Sequence, residues 1–464
     1  MTPSLLAALV VLVAPTCAYD VVAGPGAREL RVAARFEGFA GGALSIDDGF
    51  ERFVRDLEQK RGASWKPLAL AGPGATLPAG EGPLHVRYRF LLAEAAASAR
   101  DIYTAFAHEG ALLAPPSTWL VRPAAVPGGQ RYRLRVKAPP GVEFVTGLLH
   151  AADGDGYEAA LESLGEAPYS GFGRFRRFES EVGGARLELA VASGALGPGD
   201  DALRTWLEAS GRAVSGYFGR FPMPRALVLV IPGGRRAMGY GTTLTGGGAS
   251  ILLWIGPQAS QADLRDDWVL VHEMVHLGFP TLPRKHRWLE EGLATYVEPL
   301  ARVRVGTMEA SAAWQSLIEG LPRGLPNSRD GGLDGSSSIG RVYWGGALYW
   351  FLADLEIRER TDNRRGLPDA LRGILEAGGD AMAHWGPREA LARGDAAVGL
   401  TVLTDLFDRM ATKPASVDLP AVFARLGVSL RRGRVDYDDS RPLAAIRRSL
   451  AGATNAEETR GGGP

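Results

Sequence analysis

Two histidines and a glutamate fall within five residues, His272-Glu273-Met274-Val275-His276, in a chain with only seven histidines among 464 residues. Four positions make slightly more than one helical turn, so both imidazoles leave one face of a helix. Two imidazole nitrogens and one carboxylate would fill three tetrahedral positions on Zn²⁺ and leave the fourth to water, the pattern of a catalytic rather than a structural zinc. Bound water loses its proton near pH 7, at about the reach of Glu273, the residue after the first ligand. This predicts one Zn²⁺ per chain and a metal-dependent hydrolase.

The carboxylate has two candidates. Glu290 and Glu291 are adjacent in Trp288-Leu289-Glu290-Glu291-Gly292, and spacing alone does not choose between them. Helical phase puts Trp288, Glu291, Thr295 and Glu298 on one face and Glu290, Ala294 and Val297 on another. Gly292 would permit close packing beside Glu291. His286 is a rival ligand, but it lies in a Pro-Arg-Lys-His-Arg run that reads as solvated. An all-histidine set of the HExxHxxGxxH kind is absent, because Phe279 and Leu282 stand where its Gly and last His would be.

These groups need elements to hold them. Apolar flanks predict a buried helix around the motif, ended by Gly278 and Pro280. A second helix over 288–298 carries the acidic pair. Before the motif, residues 225–231 and 251–255 read as apolar strands. Gly246, Gly247 and Gly248 lead into the latter, and we read them as an edge strand whose backbone pairs with an extended peptide, with a plain Gly-rich loop as the alternative. Asp200 or Asp201 is placed to cap a helix over 202–218. The Gly/Ser-rich stretch 304–340 predicts a mobile loop near the cleft. A helix over 341–359 and further helices to about 450 follow. Residues 19–195 alternate with period two in several stretches, such as 29–36, 84–90 and 132–136, as strands with one buried face do.

The motif with its Trp-Leu-Glu-Glu-Gly partner resembles the gluzincin metallopeptidases, nearest to the glycyl aminopeptidase type and more distantly to aminopeptidase N. The resemblance implies that Glu291, the residue before the Gly, is the third zinc ligand. Val342-Tyr343-Trp344-Gly345-Gly346 is similar to the Tyr-x-x-Gly helix start of the same families, which implies that the Tyr343 hydroxyl stabilises the tetrahedral intermediate. Tyr240 and Tyr349 are alternates for that role. The implied fold is α+β and multidomain: a β-sandwich-like N-terminal domain over 19–195 and a thermolysin-like zinc peptidase domain over 196–395. The sequence pattern adds a helical region over 396–452, and the Gly-rich, polar tail over 453–464 reads as disordered. Aminopeptidase N relatives carry a glutamate for the substrate amine before the motif, and residues 246–253 contain no acidic residue. The choice between amino- and endopeptidase action therefore stays open.

Composition narrows the partners. Basic and acidic residues balance at 52 each, so no basic surface for nucleic acid is expected. The apolar run over 5–13, followed by Ala14-Pro15-Thr16-Cys17-Ala18, reads as a signal peptide over 1–18 and predicts export to the periplasm or medium. Lipid anchoring through Cys17, the only cysteine, is the alternative. No later segment is apolar enough to span a bilayer. The expected substrate is a peptide or protein. Competing readings are an esterase or epoxide hydrolase on the same scaffold, a silent zinc-binding scaffold protein, and an assembly factor of the periplasm.

Overall fold

The structure is a computed structural model describing residues 17–452 except 40, 69, 71–73, 78–81, 100–102, 126–127 and 328–330. The apolar run over 5–13 and the tail over 453–464 lie outside the described residues. The chain divides into two compact units. One comprises residues up to Phe175 together with Gly246–Gly248, and the other Arg176–Thr245 together with Ala249 onward.

The first unit contains a seven-stranded, a three-stranded and a four-stranded sheet. The order in the largest is Tyr157–Ala160, Arg131–Lys137, Cys17–Ala23, Leu30–Phe36, Leu84–Phe90, Val54–Arg61 and Ser64–Pro67. Its strands alternate buried and exposed residues, as in Leu30–Phe36, because side chains leave opposite faces of a strand in turn. The buried set, including Tyr19, Val32, Phe36, Val86, Phe90 and Trp119, makes one apolar core. Cys17 opens the first strand, opposite Phe36 and Tyr132, and is 2% exposed. Acylation of that thiol would require the strand to leave the sheet, and a cleavage after Ala18 falls inside it.

The second unit is built on a five-stranded sheet, ordered Phe175–Val182, Ala185–Ala192, Arg225–Pro232, Ala249–Ile255 and Met238–Thr245. Ala185–Ala192, Arg225–Pro232 and Ala249–Ile255 run parallel, and Met238–Thr245 closes one edge antiparallel to Ala249–Ile255. The expected boundary at 195 therefore falls too late. The strands over 175–192 read as a continuation of the β-rich first half, but Ala185–Ala192 pairs with Arg225–Pro232.

Helices complete this unit. Asp200–Phe218 buries Leu203, Trp206, Leu207, Val214, Tyr217 and Phe218. Gly199 holds its N-cap position, and Asp200 and Asp201 lie in the first turn instead of capping, where their charge still favours the helix dipole. Part of the stretch expected as a loop is the helix Ala310–Gly320, with Trp314 and Leu317 buried. The C-terminal helices share the same apolar core through Leu403, Leu406, Phe423 and Leu426, so residues 396–452 are not a separate unit. No helix among the described residues is long and apolar enough to cross a membrane.

Candidate metal centre

The motif lies on the helix Val269–His276, where every residue but the last is buried. Asp267 fixes its start. One carboxylate oxygen accepts from Val269 N at 2.9 Å, and the other from Leu270 N at 3.1 Å and Trp206 Nε1 at 3.0 Å. These bonds satisfy helix N–H groups that have no intrahelical partner. At the far end, a Cβ on Gly278 would fall 2.4 Å from Phe218 Cε1, so only glycine lets the chain turn away there.

The helix Arg287–Arg304 presents Glu291 to this face. Ligand atoms of His272, His276 and Glu291 all lie within 4.8 Å of one another, the one such cluster of three found among the described residues. His272 Nε2 is 3.4 Å and His276 Nε2 3.6 Å from Glu291 Oε2. Around tetrahedral zinc with bonds near 2.0–2.1 Å, ligand atoms sit roughly 3.3 Å apart, so this donor set fits the ion. Burial alone would raise the Glu291 carboxyl, but its bonds to His272 and His276 prevail and hold it well below the usual range. His276 moves the other way. Burial would lower it, yet Glu291 carries it up to about 9. The adjacent Glu290 turns elsewhere, accepting from Leu282 N at 3.3 Å, and burial pushes it up to about 7.

Three rings pack on His272. Trp268 and His276 meet it edge-on, with centroids 5.5 and 5.0 Å away, and Tyr343 lies parallel at 5.9 Å. Tyr343 sits in a π-helical turn, Arg341–Gly345, that leads into the helix Gly346–Arg360. Such a turn carries one extra residue and shifts the phase of what precedes it. Burial foremost, then the Glu291 and Glu273 carboxylates, push the Tyr343 phenol well above its ordinary value. It is therefore a proton donor at neutral pH. Tyr349, an alternate, is buried and donates to Leu403 O at 2.7 Å. Tyr240 is 56% exposed on the edge strand and near enough to Tyr343 to act on its charge.

Two glycines bring the Glu291 and Tyr343 helices together. A Cβ on Gly292 would lie 2.2 Å from Gly346 C, and one on Gly346 only 1.9 Å from Trp288 O. Neither position accepts any side chain. Trp350 Nε1 donates to Leu289 O at 2.8 Å across the same crossing.

His286 is not solvated as its basic neighbours suggested. It is 5% exposed, with Nδ1 2.8 Å from Asp334 Oδ1, which also accepts from Trp288 Nε1 at 2.8 Å. Asp334 belongs to the expected mobile loop, but Leu333 N and Asp334 N donate to Met410 O and Ala411 O. That part of the loop is pinned. Sequence reasoning missed Asp334, because its partners are more than 45 residues away.

The reading of Gly246, Gly247 and Gly248 as an edge strand is also corrected. Ala249–Ile255 is flanked on both sides, and the edge is Met238–Thr245. The glycine backbone is occupied instead. Gly247 O accepts from Leu149 N, Gly248 bridges to Leu148, and a Cβ on Gly246 would lie 2.3 Å from Glu166 O. Their small size serves close backbone packing within the first unit. The element beside the motif is the edge strand, whose Thr243 Oγ1 donates to Glu273 Oε2 at 2.7 Å.

No family model and no curated protein sequence matches the chain. Solved structures do. An aminopeptidase N family protein from Idiomarina loihiensis is 14% identical with a TM-score of 0.68, over 89% of this chain and 79% of that one. An M1 zinc metallopeptidase from Deinococcus radiodurans is 14% identical with a TM-score of 0.57, over 87% and 94%. A mutant of that enzyme bound to a Tyr-Ser-Ala substrate gives 14% and 0.56, over 87% and 94%. The chain thus has the fold of aminopeptidase N family and M1 zinc metallopeptidase structures.

Proposed function

We propose that the chain is an exported zinc peptidase that hydrolyses peptide bonds with an activated water. The convergence of His272, His276 and Glu291 within 4.8 Å carries this reading. Bound there, Zn²⁺ supplies Lewis acidity and a water of lowered pKa. Glu273 takes the water's proton as it attacks the scissile carbonyl and passes it to the leaving amine. The Tyr343 hydroxyl, kept protonated by its surroundings, donates to the developing oxyanion. An extended peptide can lie along the edge strand Met238–Thr245. Its side chains would then meet Tyr240 and Trp268, exposed at 56% and 52%. Export rests on the apolar run over 5–13 alone.

The test combines metal analysis of the purified protein with mass-spectrometric mapping of cleavage in a mixed peptide pool. We expect about one zinc per chain and defined cleavage sites. Glu273→Gln should keep the metal and lose turnover by at least about 100-fold. Cleavage of simple esters but no peptides would favour the esterase reading. A zinc-loaded protein that cleaves neither would favour a silent scaffold.

A further inference from the structure

We propose that Gly241 and Thr243 of the edge strand form a positioning device that holds the Glu273 carboxylate in one orientation. Residues two apart on a strand face the same side, and here that side meets the motif helix. A Cβ on Gly241 would lie 2.9 Å from Glu273 Cγ and 2.7 Å from Val269 Cγ1. The bare strand backbone therefore rests against the stem of the glutamate. Two residues on, Thr243 Oγ1 is 2.7 Å from Glu273 Oε2 and 3.1 Å from Glu273 O. A hydroxyl has one hydrogen to give, and the nearer, charged oxygen is the stronger acceptor.

Thr243 is itself fixed. Its backbone sits opposite Ile251 in the sheet, and its branched Cβ stiffens the side chain. The glutamate is thus restrained at Cγ by packing and at Oε2 by a hydrogen bond, which leaves Oε1 as the oxygen offered to the attacking water. A base free to rotate would spend much of its time out of reach of that proton, and displacements of about 1 Å are costly to rate. Thr243 does not touch the reacting atoms; it acts through Glu273. The effect on rate rests on the peptidase reading, whereas the orientation of Glu273 does not.

Thr243→Val keeps the branched shape and removes the hydroxyl. We expect kcat to fall by about 10- to 100-fold, with KM and zinc content unchanged, and Thr243→Ser to recover most of the rate. Thr281→Val serves as the control. It lies outside the edge strand and loses a bond to Ala381 O rather than to the base, so its kcat should stay at the parental value. Crystals of metal-free protein give a second readout, in which Glu273 should leave its position in Thr243→Val and keep it in Thr243→Ser. A parental kcat in Thr243→Val, a loss of rate that tracks loss of zinc, or an unmoved Glu273 would each overturn the proposal. If the parent cleaves no peptide, the peptidase reading fails instead, and the metal-free Glu273 position still decides this one.

Discussion

The seven-stranded sheet of the first unit and the five-stranded sheet of the second meet different burial demands. In the first, Leu30–Phe36 and Leu84–Phe90 alternate buried and outward residues. The outward residues form a ladder of ion pairs: Arg87 on Glu58 at 2.6 Å, and Arg89 between Glu29 and Asp56 at 2.7 and 2.6 Å. In the second, Arg225–Pro232 is buried at all eight positions, as parallel strands covered on both faces are. The candidate metal centre lies beside the second kind of sheet. Side chains of a strand covered on both faces are close-packed, and the strand that carries Thr243 pairs with one buried at every position but Trp254. An amphipathic sheet offers a tolerant outer surface but less constraint.

The comparison can be broken by substitution, and the largest effect belongs at the glycine crossing. Gly346→Ala puts a methyl against Trp288 O, where backbone cannot yield. Displacing the Tyr343 helix by about 1 Å should cost roughly 100-fold in kcat/KM, measured on the peptide found in the pool assay. A variant as active as the parent would detach the crossing from the site. Next is the doubly buried sheet. Leu252→Ala, at a fully buried position, should destabilise by about 2–5 kcal/mol in urea unfolding. A loss under about 1 kcal/mol would mean that the strand is less tightly enclosed than its burial indicates. The smallest effect sharpens the contrast. Arg87→Ala removes the Glu58 pair and a guanidinium 4.2 Å from the Trp65 ring. Because that surface is solvated, the change should stay within about 1 kcal/mol, with peptide cleavage intact.

The sequence exposed some of this and hid the rest, for physical reasons. His272 and His276 were readable because both lie one turn apart on a single helix, so local spacing is the geometry. Strands over 29–36 and 84–90 were readable because one wet face imposes period two. The choice of Glu291 over Glu290 was not readable from spacing, since it depends on the orientation of two helices. Thr243 was invisible for the same reason, being 30 residues from Glu273. His286 misled because its neighbours are basic, while its own ring is held by Asp334. The glycine triplet misled because small residues permit close approach without naming the partner, and here the partner is other backbone. Helix Ala310–Gly320 went unread because Gly and Ser on its far side dominated the composition of the wider window.

The π-helical turn over Arg341–Gly345 gives chains of this fold a simple route to diverge. One inserted residue offsets everything before it by about 100° around the helix axis. Deleting a single residue there would let the segment wind regularly and swing the phenol away from His272, while the apolar contacts beyond Gly346 kept their places. Loss of hydrolysis in a descendant would then need no damaged ligand, only a chain one residue shorter.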